Sequence, residues 1–154
     1  MAWIDASSVK LGCIGFSKTK SVRNSHYGSP LANDVCKEAN SKAHLIEIFN
    51  DNQSRFLMSE KVRSYVYLNI GIDTWFSSNW WIGAELKSGT WYWEHSKKRL
   101  TYWPKLISDI YRICGDHYGI DRPYPYAKLY IGYKGYTCWA RDTGEGNYPS
   151  ICQI

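Results

Sequence analysis

The sequence predicts an α+β fold. Three observations carry this. Two stretches with helical spacing lie in the first half, at residues 30–42 and 53–67. A pair of short aromatic strands, WWIGAEL and GTWYWEH, follows around a Lys87-Ser88-Gly89 turn. Three further strand-like segments, AKLYIGY, YTCWARD and YPSICQI, close the chain. Helices gathered on one side of a set of strands define the α+β class. At 154 residues the chain suits one domain and leaves little room for two. We divide it into a lead-in, residues 1–10, and a single domain, residues 11–154.

In order along the chain, LGCIGF (11–16) reads as a short strand. SKTKSVRNSHYGSP (17–30) is polar and rich in breakers, so it reads as a loop. Pro30 opens the first helix, as proline does in a first helical turn. Leu31, Val35 and Ala39 recur every four residues there, with Cys36 beside them. HLIEIF (44–49) alternates as a strand does. Phe56, Leu57, Lys61, Val62 and Tyr65 give the rough spacing of a second helix. Residues 70–78 carry no clear signal. A short helix over PKLISDIYRIC (104–114) precedes GDHYGIDRPYPY, whose Gly, Asp and Pro mark an irregular loop. The last three strands are joined at Lys134-Gly135 and at residues 143–147.

Composition narrows the class. Hydrophobic residues make up 44% of the chain and aromatics 16%, mostly 13 Tyr and 8 Trp against 4 Phe. Tyr and Trp carry a polar tip and suit half-buried or ligand-facing positions. The net charge of +5 is dispersed, and the one dense run, Lys97-Lys98-Arg99, reads as a solvated turn. Without a basic groove, single-stranded nucleic acid is not the expected partner. No apolar run approaches the ~20 residues of a membrane span. The N-terminus has neither a basic leader nor an apolar signal core. The five cysteines, Cys13, Cys36, Cys114, Cys138 and Cys152, form no CxxC pair. Spread as they are, they point to long-range disulfides, an oxidising compartment and a leader already removed. Five is odd, so at least one thiol is free or pairs with another chain.

With these residues in view, the chain resembles the C-type lectin-like domain, from Leu11 to Ile154. The resemblance rests on four pieces in order. ANDVCKEANSKAHLIEI looks like the family's cysteine-bearing first helix and the His-Leu strand after it. NDNQSRFL (50–57) looks like the start of the second helix. Trp81-Ile82-Gly83 and Gly89-Thr90-Trp91-Tyr92-Trp93 look like the central pair of strands. Ile151-Cys152-Gln153 looks like the closing strand.

The resemblance implies two helices flanking short antiparallel sheets, with a long irregular loop. It implies that Trp81, Ile82, Gly83, Trp91 and Trp93 are packing residues that identify the fold and do not touch ligand. It also implies a Cys36–Cys152 disulfide from the first helix to the last strand, and a second bridge at the base of the long loop. Cys138 fits one end of that second bridge and Cys114 the other, although Cys114 lies further upstream than the family pattern has it. Cys13 is then the odd thiol, available to link a disulfide dimer.

The sequence departs from the family's calcium-dependent sugar site. Calcium takes six to eight oxygens at about 2.3–2.6 Å. The Glu-Pro-Asn or Gln-Pro-Asp triplet is missing from the loop, whose prolines are Pro104, Pro123 and Pro125. Tyr133-Lys134-Gly135 stands where Trp-Asn-Asp is expected, and its lysine would repel a cation. GDHYGID also lacks the alternating oxygen spacing of a calcium loop. No metal site and no cofactor are expected, and a structural calcium elsewhere is left open. Asp142 and Glu145 read as solvated hairpin acids.

His26, His44, His95 and His117 are scattered, no serine has a nucleophile-elbow context, and His44 reads as structural, so no enzyme is expected. Asn52-Gln53-Ser54 is a glycosylation sequon usable only in a secreted eukaryotic chain.

What remains is recognition. The long loop gathers Tyr111, Arg112, Asp116, His117, Tyr118, Asp121, Arg122, Tyr124 and Tyr126. Flat rings, guanidinium forks and carboxylates make a binding surface. Asp116, His117, Asp121, Arg122, Tyr124 and Tyr126 are the candidate ligand residues. Two readings follow. One is a secreted, calcium-independent carbohydrate-binding lectin domain. The other is a protein-protein module, such as a receptor, immune or matrix ligand, using the same surface without sugar.

Overall fold

The structure is a computed structural model that describes residues 1–24, 28–75, 78–102, 124–131 and 137–154. Its described residues form three α-helices and eight strands in two antiparallel sheets. The first sheet has β1 (Ala2–Asp5), β2 (Cys13–Phe16), β8 (Ile151–Gln153) and β3 (His44–Leu45), in the order β1-β2-β8-β3. The second has β4 (Ser78–Lys87), β5 (Thr90–Trp93), β6 (Tyr126–Ile131) and β7 (Thr137–Asp142), in the order β5-β4-β6-β7.

The helices start and stop where local chemistry allows. α1 (Ala32–Ala39) follows Pro30, and its Cys36 and Val35 face inward. α2 (Asp51–Leu57) is capped by Asn50, whose side chain accepts from the Gln53 amide. α3 (Glu60–Ile70) is capped by Ser59, which accepts from the Val62 amide, and ends at Gly71 in the left-handed region, φ 72°. A side-chain oxygen at the first position and a glycine just past the last satisfy end groups that the helix leaves unbonded.

The single helix expected over residues 53–67 is therefore two. Ser59 breaks it by starting a new one, so residues 30–70 hold three helices where two were expected there. Residues 2–5, read as lead-in, form a strand that pairs with β2, with Ala2 and Ile4 buried. The strand expected over 44–49 is only two residues long. Beyond Leu45 the Ile46 amide bonds to Ile151 O and Ile46 O accepts from the Gly83 amide, so this segment stitches one sheet to the other. The helix expected over 104–114 lies outside the described residues.

The tryptophans mostly build the core. Trp80, Trp81 and Trp93 are fully buried. Trp80 meets Phe16 edge-on at 5.3 Å and Trp93 meets Trp139 at 5.7 Å, the offset geometry that aromatic rings favour. Their indole nitrogens are bonded: Trp80 donates to Ser78 Oγ and Trp81 to Ser21 O. Gly83 lies where a Cβ would come within 3.0 Å of Leu45 O, so glycine lets the two sheets touch. Trp81 belongs to a second cluster with Ala32, Leu45 and the Cys36–Cys152 disulfide. That disulfide ties α1 to β8 across 116 residues. Cys138 is also disulfide-bonded, and the expected partner, Cys114, lies outside the described residues. Cys13 is a free thiol and half-buried.

Candidate functional site

The site starts from strand register. Directly opposed residues in antiparallel strands share a face. Tyr92 on β5 opposes Glu85 on β4, Glu85 opposes Tyr126 on β6, and Tyr126 opposes Asp142 on β7. Tyr92, Glu85, Tyr126 and Asp142 therefore form one row across the second sheet. Between Trp81 and Glu85 the β4 register shifts against β6 by an even number of residues, so the faces are kept.

Each acid in the row has its own cation. Lys87 pairs with Glu85 at 3.0 Å. Lys128, two residues along β6 from Tyr126, places its ammonium 3.2 Å from Asp142 and 2.8 Å from the Tyr148 hydroxyl. The Tyr148 hydroxyl in turn donates to Asp142 at 3.1 Å. Burial pulls Lys128 below the ordinary ammonium range, and Asp142 opposes that pull. Asp142 Oδ1 also accepts from the Gly144 amide, which holds the following loop. Asp142, expected as a solvated acid, is thus a half-buried ion-pair partner. The expectation failed because its cation is brought across the β6–β7 hairpin from 14 residues away.

Tyr126 is half-buried inside this row, between Glu85 and Asp142. The Arg23 guanidinium stacks over its ring at 4.7 Å from the centroid. Arg23 is itself almost fully buried, donates to Ile82 O at 2.6 Å, and pairs with Glu94, whose other oxygen accepts from Asn33. Burial lowers the Arg23 pKa, with Glu94 foremost in opposing it. Gly144, at φ 96°, packs against Tyr126, where a Cβ would stand 2.7 Å from the ring. Sequence reasoning missed Arg23, Glu85, Glu94 and Tyr92. The polar segment around Arg23 reads as loop, and nothing in it signals a buried guanidinium.

Of the predicted ligand residues, the structure places Tyr124 half-buried before β6 and Tyr126 in the row. Asp116, His117, Asp121 and Arg122 lie outside the described residues, as do Tyr111, Arg112, Tyr118 and Lys134. On the opposite face of the sheet Arg141 stacks over Trp91 at 5.4 Å. Trp91, expected as a packing residue, is half-buried and packs against the core. Among the described residues no three His, Cys, Asp or Glu side chains are grouped to hold a metal ion. No helix among them is long and apolar enough to cross a membrane.

No protein-family model matches the sequence, and no curated protein matches it. Solved structures do match the fold. Human lithostathine aligns with a TM-score of 0.63 at 19% identity, over 92% of this chain and 82% of that one. The carbohydrate-recognition domain of the mouse scavenger receptor C-type lectin aligns with a TM-score of 0.60 at 16% identity, over 99% and 93%. A calcium-independent type II antifreeze protein aligns with a TM-score of 0.59 at 16% identity, over 99% and 91%. This chain has the C-type lectin-like fold. At these identities the likeness is one of fold alone.

Proposed function

We propose that the protein is a secreted, non-catalytic recognition domain that binds carbohydrate without calcium. The binding surface includes the Tyr92–Glu85–Tyr126–Asp142 row and Tyr124; Asp116, His117, Asp121 and Arg122, the other candidates, precede Tyr124 in the sequence. One observation carries this reading: the row alternates half-exposed tyrosine rings with carboxylates whose charges are met by the protein's own cations. Tyr92 offers a ring for sugar stacking, Tyr126, with Arg23 over one face of its ring, fixes the row in place, and the polar atoms between them suit hydroxyls. An ammonium at Asp142 takes the place a divalent ion would need. Two of the fold neighbours support the two halves of the reading, one described as a carbohydrate-recognition domain and one as calcium-independent.

The test is a glycan panel read with the wild-type protein and with Tyr92→Ala. Tyr92 sits on the edge strand β5, so its loss leaves the core intact. Sugar binding that falls at least about tenfold in the variant supports the assignment, the loss of one well-packed aromatic contact being about 1–2 kcal/mol. Unchanged binding places the sugar elsewhere.

A second reading keeps the surface and changes the ligand to a protein. The free thiol of Cys13 favours it, together with Tyr67 and Leu68 on α3, which are 58% and 83% exposed. A covalent dimer on non-reducing electrophoresis that collapses on reduction would support it.

A further inference from the structure

We propose that the cleft between α1 and the turn after β5 binds an oxyanion, a sulfate, phosphate or carboxylate on a small ligand, beside the stacked rings of His44 and His95. This goes beyond the carbohydrate reading and does not depend on it.

The two imidazoles lie parallel within 2°, with centroids 3.6 Å apart. They flank a cleft of about 260 Å³ lined also by Asn33, Lys37, Glu94 and Lys97. That is below the roughly 300–1,000 Å³ of sites for drug-sized ligands, and it suits one small charged group. The turn is anchored: Ser96 donates its amide to Glu47, and Lys97, at φ 64°, donates its amide to Trp93 O.

The charge balance favours an anion. Glu94 is the one acid lining the cleft, and both its oxygens are engaged, by Arg23 and by Asn33. Glu47, which also faces His44, is buried and bonded to Ser96. Lys98 is turned over Phe49. Lys37 from α1 and Lys97 from the turn have no ion-pair partner among the described residues. His44 Nδ1 donates to Leu45 O at 2.8 Å, so in the neutral ring Nε2 carries the lone pair. Burial, with His95 adding to it, holds His44 below the usual imidazole range, against the pull of Leu45 O and Glu47.

A metal ion fits less well. Stacked rings confine their lone pairs to two parallel planes, and no third ligand group joins them among the described residues. Two imidazolium ions face to face repel each other, so an arriving oxyanion stabilises the doubly protonated pair. Binding and proton uptake are then linked, and affinity rises as pH falls.

Sulfate is the first probe, because its charge is constant across the range. It is titrated into the full chain at about pH 5.5 and about pH 8, at ionic strength matched with chloride, while the imidazole proton resonances are followed by NMR. His44→Gln and His95→Gln assign the two rings. The expected result is a saturable shift of these two resonances, with binding about tenfold tighter at the lower pH. Lys37→Gln and Lys97→Gln, both at exposed positions, should weaken it, and they keep the test sound if a histidine variant fails to fold. A sugar sulfate, a sugar phosphate and a uronic acid, titrated in the same way, identify which oxyanion is preferred. Sulfate shifts no different from those of chloride, or binding left unweakened when Lys37→Gln and Lys97→Gln are combined, overturn the proposal.

Discussion

The Lys128 ammonium lies 3.2 Å from the Asp142 carboxylate, with the two side chains only 3% and 11% exposed. The pair holds β6 to β7 and, through Tyr148, to the chain that leads into β8. Removing one partner leaves the other buried without its counter-charge. Lys128→Ala is therefore expected to cost about 3–5 kcal/mol in urea unfolding. A double change of Lys128→Met and Asp142→Leu removes both charges and should cost clearly less. Equal costs would mean that the ion pair is solvated.

Cys36 and Cys152 close a loop of 116 residues between α1 and β8. Loop-closure entropy makes this worth about 5 kcal/mol. Cys36→Ala with Cys152→Ala should lower stability by about that amount in a chemical denaturation midpoint, with Cys138 left in its bridge. A loss below about 2 kcal/mol would indicate a compact unfolded state.

Tyr102 ties the end of the segment after β5 to α2. Its hydroxyl donates to Asp51 at 2.6 Å and lies 3.1 Å from Ser54 Oγ. Burial and then the Asp51 carboxylate push its pKa up to about 12. The folded state keeps the phenol proton longer than the unfolded chain, whose tyrosines ionise near ~10. Stability from this group is thus present below about pH 10 and is lost as pH rises from there toward about 12. Tyr102→Phe should cost about 1 kcal/mol at neutral pH and flatten the alkaline fall in melting temperature. An unchanged alkaline profile would contradict this.

Gly144 touches the site through shape. Its φ of 96° is strained for any other residue, and a side chain there meets both Tyr126 and Asn24. Gly144→Val should destabilise by about 2 kcal/mol or more and should weaken ligand binding by displacing the Tyr126 ring. Intact binding in a folded variant would remove Tyr126 from the surface.

Much of this fold is legible in the sequence because its signals are local. The Lys87-Ser88-Gly89 turn between two aromatic runs marks β4 and β5, with Ser88 and Gly89 both at positive φ. The bridge from Cys36 to Cys152 is implied by the resemblance to the C-type lectin-like domain and not by any local spacing. What was hidden depends on contacts distant in sequence. β1 is four residues long, and its pairing with β2 has no turn signature of the usual hairpin kind. Ser59 is a cap only because Leu57 and Val62 both turn into the core, which a single helical stripe also predicts. The row through Tyr92, Glu85, Tyr126 and Asp142 was not legible. It depends on the register of three strand pairs and on the shift inside β4. Tyr126 was found from its composition-rich neighbourhood, but its partner Arg23 lies 103 residues away in a segment that reads as loop.

Binding to a broad glycan panel, measured with calcium and again with EDTA, tests the central claim most directly. The account predicts sugar binding that survives EDTA unchanged, because the acids of the row are met by Lys87 and Lys128. Binding abolished by EDTA and restored by calcium would contradict it.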